Sequence, residues 1–203
     1  MISSLMEHRI TSIVFVTGHL APRIKQHVQE RHPDLAAQFV LNEQFATTNT
    51  GYSLMLAQRA IDGDDFIKLD GDVVFEPEIL TRLLQTHGNG IVVDRSVALG
   101  DEEVKVTLGS EGRIQKIGKD VPVASAAGES IGIEKITSDL VKPLFTALEQ
   151  LFLKEKRMNE YYERAYDRLI ADGVLFQAVD IAGLRWNEID DKIDLDRARE
   201  LFA

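Results

Sequence analysis

The chain has no cysteine, which excludes disulfides, thiolate metal centres and a cysteine nucleophile. It is short of positive charge: 23 Lys and Arg stand against 33 Asp and Glu, a net charge of −10. Such a chain is a poor binder of nucleic-acid backbone, although a divalent cation could still mediate contact with an anionic nucleotide. No apolar run approaches the roughly 20 residues of a membrane span, so no membrane partner is expected. The segment Met1 to Arg9 lacks a basic stretch followed by an apolar core and does not read as a secretory signal. A soluble cytoplasmic protein is the expectation. The five histidines show no ligand spacing, and G-x-S-x-G, P-loop lysine and H-E-x-x-H motifs do not occur. Internal repeats, low-complexity tracts and linkers are also missing, so residues 1–203 read as one domain.

What is present is globular: 44% hydrophobic and 28% charged residues in 203 positions. Ile13–Val16, Phe39–Leu41, Phe66–Leu69, Gly90–Asp94 and Val174–Val179 are short apolar runs of the kind buried in parallel sheets. Helical patterns separate them: from Pro22 to about Arg31, Gly51 to Ala60, Pro77 to about Thr86, Ser138 to Phe152, and Asn159 to Ala171. A last helix is expected from an Asp194 cap to about Phe202. Between the fourth strand and the Ser138 helix the period changes to two. Val104–Leu108 and Arg113–Ile117 flank the turn Ser110-Glu111-Gly112 and predict a hairpin. Alternating strands and helices predict an α/β fold with an open, mostly parallel sheet, helices on both faces and an inserted β-hairpin.

Two acidic stretches fall where such folds bind ligands, off the carboxyl ends of strands. Asp70-Gly71-Asp72 follows a buried strand, and Trp186-Asn187-Glu188-Ile189-Asp190-Asp191 precedes the last helix. Carboxylates there suit Mg²⁺, which takes one or two of them together with substrate phosphates. Each stretch also has a plain reading, as a turn for the first and a solvated helix start for the second. If the two converge, they form a metal cage for a triphosphate. Lys105, Lys116 and Lys119 lie on or beside the hairpin. They suit either a solvated face or the stabilisation of developing phosphate charge. Tyr161, Tyr162 and Tyr166 share one predicted helix and suit packing or the holding of a quaternary ammonium.

Val14-Phe15-Val16-Thr17-Gly18-His19, Thr48-Asn49-Thr50-Gly51-Tyr52-Ser53-Leu54 and Leu69-Asp70-Gly71-Asp72-Val73-Val74-Phe75 resemble the nucleotidyltransferases that make nucleotide-sugars. Glu103-Val104-Lys105-Val106, Ile117-Gly118-Lys119, Gly128-Glu129-Ser130-Ile131-Gly132-Ile133 and Trp186 to Asp190 resemble the phosphocholine cytidylyltransferase-like branch. That branch also holds enzymes of aminoethylphosphonate and inositol phosphate. The resemblance runs from about residue 5 to the end, with the motifs in the family's order.

The resemblance implies a Rossmann-like fold and transfer of a nucleoside monophosphate, CTP being the expected donor. The acceptor would be a small phosphorylated molecule such as phosphocholine, and pyrophosphate would leave. It implies Mg²⁺ on Asp72 and Asp190, and nucleotide binding by Asn49, Thr50, Asp70 and Asp72. Substrate binding falls to Lys105, Glu129 and Trp186, and catalysis to Lys119 with the two aspartates. The family also begins with a buried strand and a Gly-rich, Arg-bearing loop, and no G-x-G-x-x-R occurs here. The expectation is therefore an N-terminally truncated form of reduced or no turnover. Met1 to Arg9 would be the helix after that loop, and the first strand would be missing. Loss of that strand would leave the strands of Ile13–Val16 and Phe66–Leu69 without a neighbour and favour self-association into a homo-oligomer. Two other readings are a nucleotide-binding paralogue without catalysis and a D-x-D glycosyltransferase, which would release a nucleoside diphosphate.

Overall fold

Short apolar runs form the strands, and stretches with one apolar stripe form the helices, throughout a computed structural model that describes residues 1–203. In chain order these are α1 (Ile2–Glu7), β1 (Ser12–Thr17), α2 (Ala21–Arg31), β2 (Ala36–Leu41), α3 (Thr50–Leu56), α4 (Gln58–Ile61) and β3 (Phe66–Leu69). They continue with β4 (Val73–Phe75), α5 (Pro77–Gln85), β5 (Asn89–Asp94), β6 (Lys105–Leu108), β7 (Ile114–Gly118) and β8 (Gly128–Ile136). The last are α6 (Ser138–Glu149), α7 (Glu163–Ala171), β9 (Phe176–Asp180), β10 (Trp186–Glu188) and α8 (Lys192–Leu201). No helix is long and apolar enough to cross a membrane.

The chain packs as two compact units. The first holds residues 1–8, 65–137 and 170–203. Its spine is β8, which neither alternation nor a continuous apolar run marks, because Gly128 and Gly132 interrupt it. β3 and β6 pair with β8 antiparallel, and so does β5, which carries β9 parallel to itself. The expected α/β class holds, but the sheet is mixed instead of mostly parallel. β3, β5, β6 and β9 do run the same way. The reversed β8 is threaded among them and turns most pairings antiparallel. The expected hairpin is β6–β7, joined through a short 3-10 turn at Ser110–Gly112. α5 covers the sheet with Ile79, Leu80 and Leu83, all but fully buried. Burial of each such side chain is worth about 1.5–3 kcal/mol.

The second unit holds residues 9–64 and 138–169. β1 and β2 pair in parallel, with Phe15 stacked on Phe39 at 5.2 Å between ring centres. The α6 stripe of Leu144, Phe145 and Leu148 is buried, and a π-helical turn, Gln150–Lys154, follows it. Tyr162 and Tyr166 meet edge to face inside this core at 5.4 Å, so packing is what they do. α7 begins at Glu163 instead of the expected Asn159 cap. β1 has β2 as its one strand partner and β3 has β8, so each keeps one edge without a strand.

Candidate active site

Two three-residue strands build the site. β10 runs antiparallel to β4 with Glu188 opposite Val73, and Ile189 N–H donates to the Asp72 carbonyl at 3.0 Å. This register sets Asp72 between Glu188 and Asp190, which flank Ile189 and share one side of the extended chain. Carboxylate oxygens of Asp72, Glu188 and Asp190 all lie within 4.8 Å of one another. α8 fixes the far side. Its cap is Asp191 and not the expected Asp194, because Asp191 accepts from the N–H groups of Ile193 and Asp194. Asp194 returns the bond as the other half of a capping box and also accepts from Asp190 N–H at 3.2 Å.

Asp70 is held apart from this trio. Its N–H donates to the Gly132 carbonyl at 2.9 Å, and its carboxylate occupies the space a side chain on residue 132 would need. Gly132 has φ +74, so glycine answers both the close approach and the backbone conformation. Lys68, nearly buried, lies 2.8 Å from the Asp70 carboxylate and 3.4 Å from that of the fully buried Glu134. Asp70 is thus tied into the sheet, while Asp72 faces the other two carboxylates.

The electrostatics are those of crowded negative charge. Partial loss of water, with repulsion from Asp190, Asp72 and Asp70, pushes Glu188 up to about 7 against the pull of Lys119. Asp72 is likewise raised, first by desolvation and then by Asp70 and Asp190. All three side chains of the trio stay open to solvent on one side. Oxygens around Mg²⁺ at about 2.1 Å sit about 3–4 Å apart, so the trio needs only a small closing movement or one bridging water to fit that ion.

Glu129 extends the acidic surface. It pairs across β8 with Asp94 on β5 and Lys105 on β6. Desolvation, then Glu103, Glu188 and Asp94, raise it to about 7. The indole N–H of Trp186 donates to the Asp94 carboxylate at 2.7 Å. Lys119 stands at the rim, half open to solvent, 3.5 Å from Glu102.

Lys105 needs correction. The structure places it neither on a solvated hairpin face nor free to meet a substrate. It is 1% exposed, and its ammonium donates to the carbonyls of Gly100, Asp101 and Glu103 at 3.0, 3.3 and 2.9 Å. Asn49 and Thr50 lie in the second unit, where the Asn49 side chain caps α3 by accepting from Thr50 N–H at 2.8 Å. Three participants went unselected in the sequence: Glu188, Asp94 and Lys68. The spacing Glu188-x-Asp190 on a strand could have revealed the first. Asp94 and Lys68 carry no signal beyond a charge inside an apolar strand.

This is the fold of nucleotidyltransferases, and the resemblance seen in the sequence holds. The chain superposes on the inositol-1-phosphate CTP transferase of T. maritima with a TM-score of 0.79 and 21% identity, covering 98% of this chain and 79% of that one. The CTP:phosphocholine cytidylyltransferase of Streptococcus pneumoniae gives 0.76 and 17%, covering 100% and 83%. In sequence the chain is similar to the CMP-5'-(3-aminopropyl)phosphonate synthase of Streptomyces rubellomurinus, 28% identical over 202 residues. It is also similar to the bifunctional IPC transferase and DIPP synthase of Rubrobacter xylanophilus, 26% identical over 192 residues. The chain spans 32% and 41% of the length of these two relatives, which match 96% and 93% of it. No family model matches.

Proposed function

We propose that the chain is a nucleotidyltransferase of cytidylyl type. A phosphate or phosphonate oxygen of a small acceptor attacks the α-phosphorus of CTP, and pyrophosphate leaves. The observation that carries this reading is the trio Asp72, Glu188 and Asp190 in one carboxylate cluster on a nucleotidyltransferase fold. A divalent cation, with Mg²⁺ the natural choice for all-oxygen ligands, would be held by these three and would supply charge neutralisation to the triphosphate. The protein needs no nucleophile of its own, since both reacting oxygens come from the substrates; its contribution is positioning and charge. Lys119, exposed beside Glu102, would supply positive charge to a phosphate oxygen. The family resemblance gives base and ribose binding to Asn49 and Thr50, at the start of α3 in the second unit.

For the acceptor, Trp186 and Glu129 offer an indole and a carboxylate, with the buried Asp94 fixing the indole N–H. That combination suits an ammonium-bearing molecule such as phosphocholine or an aminoalkylphosphonate better than an uncharged polyol. The test is pyrophosphate release from CTP with phosphocholine, an aminoalkylphosphonate and inositol phosphate, each with Mg²⁺ and with chelator. Expected are Mg²⁺-dependent release, preference for the ammonium-bearing acceptors, and a loss of at least about 100-fold in Asp72→Asn, equivalent to about 2.7 kcal/mol. Release of a nucleoside diphosphate from a nucleotide-sugar would point to the D-x-D glycosyltransferase instead.

A further inference from the structure

The loop between β5 and β6, residues 95–104, has no helix or strand of its own. Irregular connections held on a rigid scaffold are where binding residues concentrate. This one is fastened at both ends by a buried charge. At its start Asp94, 4% exposed, accepts from Ser96 N–H and Ser96 Oγ at 2.8 and 2.7 Å through one oxygen, and from the Trp186 indole through the other. At its end the Lys105 ammonium gathers three loop carbonyls. A cation taken out of water is costly, and here it is met by three carbonyl oxygens, with the Glu103 and Glu129 charges also acting on it. The loop also closes on itself, since Gly100 N–H donates to the Glu103 carboxylate at 2.7 Å. It carries Glu102, which faces Lys119, and Glu103, which faces Glu129.

We propose that Lys105 and Asp94 are positioning residues that hold loop 95–104 as a fixed wall of the acceptor side of the site. Through that wall they set the Trp186 indole and the Glu129 and Lys119 side chains. This rests on the transferase reading above. A surface loop needs no fully buried cation to reach its solvated state; three carbonyls turned inward onto one ammonium fix its shape. Lys105 acts on the acceptor through the loop and touches no substrate.

The test uses the full chain and two near-isosteric variants, Lys105→Met and Asp94→Asn, the second serving if the first does not fold. Amide hydrogen exchange in residues 96–104 and acrylamide quenching of Trp186, the only tryptophan, read the wall directly. Expected in either variant are at least tenfold faster exchange confined to the loop and increased quenching. The acceptor KM should rise at least tenfold while the CTP KM stays within twofold. Unchanged exchange in the loop, or a shift of both KM values together with a general loss of protection, overturns the proposal. If the unmodified chain releases no pyrophosphate from CTP with any acceptor, the transferase reading fails, and exchange and quenching alone then decide whether the wall exists.

Discussion

Among single residues, Glu188 is the most informative. It is ionised at a cost, first because it is partly withdrawn from water and then because Asp190 and Asp72 lie beside it. Replacing it with glutamine keeps an oxygen and removes one charge from the cluster. Without a divalent cation, Glu188→Gln should therefore melt above the unmodified protein at pH 7, by about 1–3 °C once solvent screening is allowed for. The same variant should lose most of the rise in Tm that Mg²⁺ gives the unmodified chain. Calorimetry with and without the ion checks both halves, and a variant that melts lower yet responds fully to Mg²⁺ would show that Glu188 is no ligand. Asp72 and Asp190 are legible in the sequence through the family resemblance, since each acidic stretch by itself reads equally as a turn or a solvated helix start. Lys105 was legible as a residue and misread in role: alternation placed it on a hairpin, but only the fold shows loop carbonyls closing over the ammonium. Asp94 was seen as the end of an apolar run, since nothing local announces that Trp186, 92 positions away, completes its bonding.

At the level of elements, every long apolar run and amphipathic stretch was recovered within a few residues, as β1, β5, α2 and α5 show. The elements that failed to show are the ones that matter most to the site. β4 and β10 have three residues each, too few for any period to register, and their pairing depends entirely on each other. β8 was hidden by its two glycines, one of which exists to admit the Asp70 carboxylate. β1 shows a different consequence of element chemistry. Its sequence Ser12-Ile13-Val14-Phe15-Val16-Thr17 has no charge, no proline and no bulge, yet it has a strand on one side only. Natural edge strands usually carry such protection. The chain should accordingly self-associate with rising concentration and bind an apolar-surface dye, and Val14→Lys should reduce both. Light scattering and dye fluorescence decide it. A dye-silent, concentration-independent monomer would mean that something other than a strand already covers that edge.

For the whole molecule, a net charge of −10 is concentrated to functional effect where Glu129, Glu188 and Asp72 are all raised. Their titration sets how stability depends on pH. Unfolded, a glutamate releases its proton near pH 4.5; folded, Glu129 and Glu188 hold theirs to about 7. Between these values the folded state binds more protons than the unfolded one, so stability falls as pH rises. Glu76, Glu103 and Glu155 are lowered, and their contribution changes only below about pH 4.5, outside this window. The Met1 amino group is lowered by burial and works in the opposite sense nearer pH 8, so the comparison belongs between pH 5 and 7. A cation held by the ionised cluster would stabilise the protein increasingly over the same interval in which the free protein weakens. Without divalent ions the Tm should drop from pH 5 to pH 7. Saturating Mg²⁺ should leave the pH 5 value nearly unchanged and recover at pH 7 the share of the drop owed to Glu188 and Asp72. A Tm that rises with pH in chelator, or an equal Mg²⁺ response at both pH values, would show that Asp72, Glu188 and Asp190 do not act as one cation-binding group.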